Sequence, residues 1–306
     1  MLFLDALIRQ HIPEWNTKSR LHIACIATTN PVYLVFSENS SYPELVIRVA
    51  ESEDIIKTHN ITQQLFKKVG NLVPESITTF NFENRNFTVQ KGVNGMPWFQ
   101  LAQSISTAAQ WNALRGRAIT ALNQLHKGTM AIESWKTECV PGQELRDCFK
   151  KCIAAGTELP QQVKTQVEIM GKELDSLGTI SAFPQHGDYC LNNLIIDVDA
   201  IHIIDFEDFG MTSMPLHDEF ALALSMHSKS IATSLRHELN ACTEVNLFNI
   251  NSTALPGFFM HHLLLRLGEW SKPIQRQKYR EWLLSILDNF LLEPHSFFDK
   301  LVLQKH

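Results

Sequence analysis

Hydrophobic positions follow two different rhythms along this chain. As far as about residue 90 they come in short runs: LHIACIA (21–27), VYLVF (32–36), LVIRVA (45–50), SITTFNF (76–82) and FTVQK (87–91). The polar turns TTNP, SENSSYPE and ENRN punctuate them. Short runs rich in β-branched and aromatic residues, bounded by turn residues, predict antiparallel strands and hairpins. Between the third and fourth run the rhythm changes to helical spacing over 53–69, with Ile55, Ile56, Leu65, Phe66 and Val69 as the expected buried set. The opening segment, MLFLDALIRQHIPEW, repeats Leu4, Leu7, Ile8 and Ile12 at the same spacing. It lacks a basic start and a small-residue cleavage site, and Asp5 interrupts its apolar run, so it reads as a docking helix and not as a secretory leader.

GVNGMPW (92–98) places two glycines and a proline in seven residues and reads as a hinge. Beyond it, segments 103–126, 143–155, 159–177, 215–247 and 257–291 carry helical periodicity. The one strand pair expected there is NLIID with IHIIDF, joined by the turn VDA. The pattern therefore predicts a sheet lobe with one helix (1–91), a hinge (92–98) and a helical lobe (99–306).

Composition narrows the class. The chain has 306 residues, 44% hydrophobic and 19% charged, enough for two packed lobes. A net charge of −5, with Lys and Arg scattered and no basic blocks, argues against a nucleic-acid partner. No apolar run approaches the roughly 18 residues of a membrane span, so no membrane partner is expected. The six cysteines form no Cys-x-x-Cys pair, which favours reduced thiols and a cytoplasmic protein. The 13 histidines lack metal-ligand spacing, and the adjacent pair His261-His262 reads as packing.

The candidate chemistry lies in HGDYCLNN (186–193) and IHIIDFED (201–208). Phosphoryl transfer needs a carboxylate to orient the attacking hydroxyl and accept its proton, and oxygen ligands for Mg²⁺ against the phosphates. His186-Gly187-Asp188, then four residues, then Asn193 has the spacing of a phosphotransferase catalytic loop. Asp205, ending an apolar strand, supplies a second metal ligand, and hairpin pairing can bring it beside Asn193. A divalent cation would also explain a carboxylate set among apolar residues. No G-x-S-x-G, H-E-x-x-H, dinucleotide glycine motif or P-loop competes.

HGDYCLNN, IDFED and PLHDEFAL resemble the aminoglycoside phosphotransferase and choline kinase-like family. The likeness extends to LNQLHKG (122–128), VQKGVNGMPW, LVIRV and TTNPVYLVF, spanning about residues 20 to 225. It implies an α+β, two-lobed protein-kinase-like fold with an antiparallel N-lobe, a mainly helical C-lobe and the site between them. It implies ATP and Mg²⁺ as cofactors, with Asp188 as catalytic base and Asn193 and Asp205 as metal ligands. Arg48 falls at the family's basic phosphate contact. The backbone of Lys91 and Val93 would meet the adenine edge, and Thr28, Thr29 and Asn30 would lie over the phosphates.

The chain also departs from that pattern. Its nucleotide turn has no glycine, Pro31 removes a backbone donor, and residues 60–63 lack the Glu that would pair with the basic residue. Asn60, Thr62 and Gln63 stand there instead.

Other polar residues have two readings each. His186 is expected to brace the loop, and Asp218 to be an N-terminal helix carboxylate. Glu207 and Asp208 would face a cationic substrate or second metal, or simply solvent. Trp270 and Trp282 read as helix core, with a cleft lining as the alternative. The resulting expectation is a small-molecule kinase acting on a hydroxyl of a sugar, amino alcohol or natural-product intermediate. An aminoglycoside-type antibiotic kinase and a nucleotide-binding pseudokinase are the alternatives.

Overall fold

The computed structural model describes residues 2–17, 20–27, 30–229, 234–244, 247–248, 250–268 and 273–299. In chain order its elements begin with α1 (Leu2–His11), β1 (Leu21–Ala27), β2 (Val32–Ser37), β3 (Leu45–Ala50) and α2 (Asp54–Val69). The hairpin β4 (Ser76–Phe82) and β5 (Arg85–Lys91) follows, then β6 (Met96–Pro97), α3 (Trp98–Leu101) and α4 (Ala108–Met130). Next come β7 (Thr137–Cys139), α5 (Pro141–Ala154), α6 (Gln162–Asp175) and β8 (Ile180–Ala182). The hairpin β9 (Leu194–Ile196) and β10 (Ile201–Ile203) leads to α7 (His217–His227), α8 (Leu235–Thr243) and α9 (Leu255–Leu267). The last elements are α10 (Gln277–Leu292) and α11 (Ser296–Asp299).

These elements form two compact units, Met1–Ala131 with Leu191–Phe209, and Ile132–Cys190 with Gly210–His306. In the first, five antiparallel strands run in the order β1-β2-β3-β5-β4. Leu4, Leu7, Ile8 and Ile12 of the N-terminal segment are buried with Val35, Leu45, Ile47, Val49 and Val89 of the sheet. The expected docking helix is therefore present, and its helical stripe seats against the alternating inward positions of β3, Leu45, Ile47 and Val49. Each such aliphatic side chain contributes roughly 1.5–3 kcal/mol on burial.

Helix α2 buries Ile55, Ile61, Thr62 and Leu65, whereas Ile56, Phe66 and Val69 are only half-buried. The first unit also holds a three-stranded sheet, β10-β9-β6. Pairing of Met96 with Ile196 ties the segment after β5 directly to the hairpin that carries Asn193 and Asp205.

The second unit is helical apart from the two-stranded pair β7-β8. That pair was not expected, and neither was β6: strands of two or three residues carry too little alternation to register in the hydrophobic pattern. The expected helix 215–247 proves to be α7 and α8, and 257–291 proves to be α9 and α10. In the second case Gly268 caps α9 and Pro273 precedes the next helical turn, so one stretch of helical periodicity holds two separate helices. Among the described residues no helix is long and apolar enough to cross a membrane. None of the six cysteines, all of them among the described residues, is in a disulfide.

Gly92 shows how tightly the end of β5 is drawn in. Its N–H donates to Glu44 O at 2.8 Å, and a Cβ there would lie 1.6 Å from Pro43 O. Relief would require the backbone itself to move. Gly92→Ala is expected to cost roughly 1–3 kcal/mol, the scale of overpacking. Urea denaturation of the variant beside wild type checks this, with Gly116→Ala, at an open position inside α4, as a control expected to match or slightly exceed wild type.

Candidate active site

In the first unit the β9–β10 hairpin sets the geometry. Leu194 pairs with Ile203, and Ile204 N–H donates to Asn193 O at 3.0 Å. Asn193, buried at the end of a short helical turn, thus stands next to the strand end from which Asp205 projects. Asp205 has φ +68°, a left-handed conformation that costs a non-glycine residue energy and that clusters at functional positions.

Arg48 reaches this carboxylate from β3. Its Nη1 donates to Asp205 Oδ1 at 3.0 Å and to Glu207 Oε1 at 2.6 Å. Arg48 Nε is buried and makes no hydrogen bond among the described residues. A small cavity beside this cluster is lined by Arg48, Thr58, His59, Thr62, Asp205 and Glu207, among others. Although its side chain is exposed, Glu207 loses part of its hydration beside the protein, which raises its carboxyl above the ordinary range; the neighbouring Asp205 adds to this and Arg48 opposes it.

Asn193 and Asp205 supply an amide oxygen and a carboxylate, the hard oxygen donors that Mg²⁺ takes alongside phosphate and water. Among the described residues no group of three or more His, Cys, Asp or Glu side chains could hold a metal by itself. That donor set fits a cation shared with phosphates better than an all-protein metal cage.

The nucleotide residues are less uniform. Lys91 N–H is committed to Glu75 O at 2.8 Å, because Lys91 ends a paired strand, and its ammonium lies exposed 4.0 Å from Glu75. Val93 makes no backbone hydrogen bond among the described residues. Asn30 is exposed just ahead of β2, next to Pro31, whose carbonyl accepts from Val49 N–H at 3.0 Å. Thr28, Thr29 and Trp270 lie outside the described residues.

In the second unit Asp188 sits on a loop fixed from several directions. The carboxylate of Asp218, wholly buried in the first turn of α7, accepts the N–H groups of His186 at 2.7 Å and Gly187 at 3.0 Å. Gly187 adopts φ +87°, which suits glycine. Its carbonyl accepts from Arg266 Nη1 at 3.0 Å and lies 3.2 Å from His217 Nε2. Arg266 Nη2 donates to Asp188 Oδ1 at 2.5 Å, so one guanidinium bridges the backbone and side chain of neighbouring loop residues. Arg266 is 3% exposed and Asp188 24%, which leaves the carboxylate partly open to solvent.

Two of these braces lay beyond the expectation, and a third is only partly as expected. Asp218 is the helix carboxylate foreseen, but it also accepts the backbone N–H groups of the loop that carries Asp188. Arg266 and His217 were missed entirely. The available signal for Arg266 was a lone cation in HHLLLRL, a run in which every residue of α9 except Leu265 is buried. His186 braces the loop, its Nδ1 3.3 Å from Asp188 N. Glu207 faces Arg48 and is not simply solvated. Trp282 is half-buried and packs against Tyr279 at 5.3 Å.

No family model and no curated protein matches this chain. Solved structures do. A choline/ethanolamine kinase family protein from Mesorhizobium loti superposes with TM-score 0.60 at 16% identity, over 97% of this chain and 98% of that one. An aminoglycoside-3'-phosphotransferase of type VIII gives 0.55 at 14%, over 86% and 98%. A glucosamine kinase in complex with glucosamine, ADP and inorganic phosphate gives 0.56 at 14%, over 91% and 82%. The chain has the α+β, protein-kinase-like fold of these structures, with an antiparallel sheet toward its N-terminus and a mainly helical C-terminal region. The resemblance carried by HGDYCLNN and IDFED holds at the level of the fold.

Behind the loop, His217 and His262 form a buried pair, Nδ1 to Nδ1 at 3.2 Å. Gly187 O can only accept, so His217 carries its proton on Nε2 and His262 donates from Nδ1. Burial holds both neutral: it pushes His217 down to about 4, holds His262 well below its ordinary value, and pushes the adjacent His261 down to about 3. In the unfolded chain these groups protonate near 6.5. Below that pH the unfolded state therefore binds more protons, and the fold loses stability from about pH 6.5 down toward 4. Each histidine contributes a slope of up to about 1.4 kcal/mol per pH unit. Urea midpoints should be lower at pH 5 than at pH 7.5, and equal midpoints would contradict the neutral buried pair.

Proposed function

We propose that this protein is an ATP- and Mg²⁺-dependent phosphotransferase acting on a hydroxyl of a small polar molecule. Residues 1–91 would serve as the nucleotide lobe, 92–98 as the hinge and 99–306 as the catalytic lobe. The observation that carries this reading is Asp188: a partly exposed carboxylate on a loop whose backbone is tied by Asp218, His217 and Arg266. The proteins that share its fold at full length are named as kinases of choline or ethanolamine, of glucosamine and of aminoglycosides, which supports the same reaction class here.

Asp188 would orient the acceptor hydroxyl and take its proton on the carboxylate as the oxygen–phosphorus bond forms. Arg266 would keep that carboxylate in one orientation. Arg48 would bind nucleotide phosphates through its guanidinium, a bidentate donor that stays charged at every working pH. Asn193 and Asp205 would hold Mg²⁺, which would neutralise phosphate charge, while ATP would supply the phosphoryl group. The backbone of Val93 and the carbonyl of Lys91 would meet the adenine edge, and Thr28, Thr29 and Asn30 would cover the phosphates.

Acceptor identity comes from a screen of amino alcohols, amino sugars and other hydroxylated metabolites with γ-labelled ATP. On the acceptor so found, Asp188→Asn is expected to lower turnover by roughly 10²–10⁴, the scale of a lost general base. Mg-ATP binding by calorimetry should stay within about three-fold of wild type, because the amide is nearly isosteric. Full activity in this variant would rule out Asp188 as base. Nucleotide binding without turnover on any acceptor would favour a regulatory pseudokinase.

A further inference from the structure

Arg48 raises an electrostatic question that α2 leaves unanswered. The helix beside it offers Thr58, His59 and Thr62 to the shared cavity, none of them an acid. His59 Nδ1 is bonded to Ser76 Oγ at 2.6 Å, and Gln63 Nε2 donates to Ser76 O at 3.3 Å, so α2 is engaged with β4. Arg48 is 20% exposed, and a guanidinium so enclosed requires an anionic partner. Its two partners, Asp205 and Glu207, share the single nitrogen Nη1. Asp205 is the residue assigned to Mg²⁺, and a cation held there would leave Glu207 as Arg48's remaining carboxylate.

We propose that Glu207 is a positioning residue for Arg48, an ion-pair partner delivered from the β10 end in place of one on α2. Resting on the phosphotransferase reading, this deepens it by specifying how the phosphate-binding cation is held. The geometry suits the task. Glu207 takes Nη1 and leaves Nη2, which makes no hydrogen bond among the described residues, for an incoming anion. Glu207 follows Asp205 by two residues, so the metal ligand and the brace share one short segment. A shift of that segment would move both together.

The test is ATP binding by calorimetry on the full chain, with EDTA and separately with excess Mg²⁺. Glu207→Gln is expected to weaken ATP binding roughly five- to twenty-fold in both conditions. Glu207→Asp, which keeps the charge on a shorter arm, should recover part of the loss. The decisive reading is a double-mutant cycle: Arg48→Ala with Glu207→Gln should bind ATP within about two-fold of Arg48→Ala alone, since the brace has nothing left to hold. Unchanged melting temperatures of the ligand-free variants would exclude a general loss of fold. ATP affinity unchanged by Glu207→Gln, or losses that multiply in the double variant, would overturn the inference while leaving the phosphotransferase reading intact. So would a loss seen only with Mg²⁺ and abolished by raising it, which would make Glu207 a metal ligand. Failure of the wild-type protein to bind ATP would overturn the phosphotransferase reading and this inference with it.

Discussion

Enclosing a guanidinium costs several kcal/mol unless a carboxylate meets it with good geometry, and this fold accepts that constraint twice. In the second unit Arg266, almost wholly buried in an apolar helix, meets Asp188 and the carbonyl of Gly187. In the first unit Arg48, on the central strand of the sheet, meets Asp205 and Glu207. The partners of these two cations fix the loop of Asp188 in one unit and the strand end of Asp205 in the other.

The loop around Asp188 illustrates how the helices serve that end. Helix α7 starts at Leu216, which adopts φ +67°, and its first turn offers His217 and Asp218 to the loop. Helix α9 contributes Arg266 and, through His262, the support for His217. Asp218 takes two backbone N–H groups of the loop, and Arg266 takes both a backbone carbonyl and a carboxylate oxygen, with His217 beside the same carbonyl. Buried polar groups satisfied in this way define one conformation, because any other would leave several of them unpaired.

The hairpin β9–β10 applies a simpler device. Register places Asn193 beside the strand end that carries Asp205, and β6 pairs with the same hairpin, so the segment after Gly92 is coupled to it by hydrogen bonds. Three strands of two or three residues each thus locate two candidate metal ligands. Such short strands derive little from their own propensity and depend on the surrounding core.

The local rhythm of the chain was enough to define much of this protein. The strand runs at 21–27, 32–36, 45–50 and 76–91, the helix between the last two and the docking stripe Leu4-Leu7-Ile8-Ile12 were all legible, because alternation and helical spacing record which face each segment buries. That the hairpin would bring Asn193 beside Asp205 was legible for a similar reason: two residues flanking one tight hairpin keep a fixed separation in the chain. What the sequence could not determine were pairings between distant residues. Arg266 meets Asp188 from 78 positions away, Glu207 meets Arg48 from 159, and Asp218 finds the loop from about 30. Nothing in the vicinity of a lone Arg in an apolar helix, or of an acid after a strand, says which opposite charge it will meet. That choice belongs to packing, which brings the segments together and makes an unpaired buried charge too costly to leave.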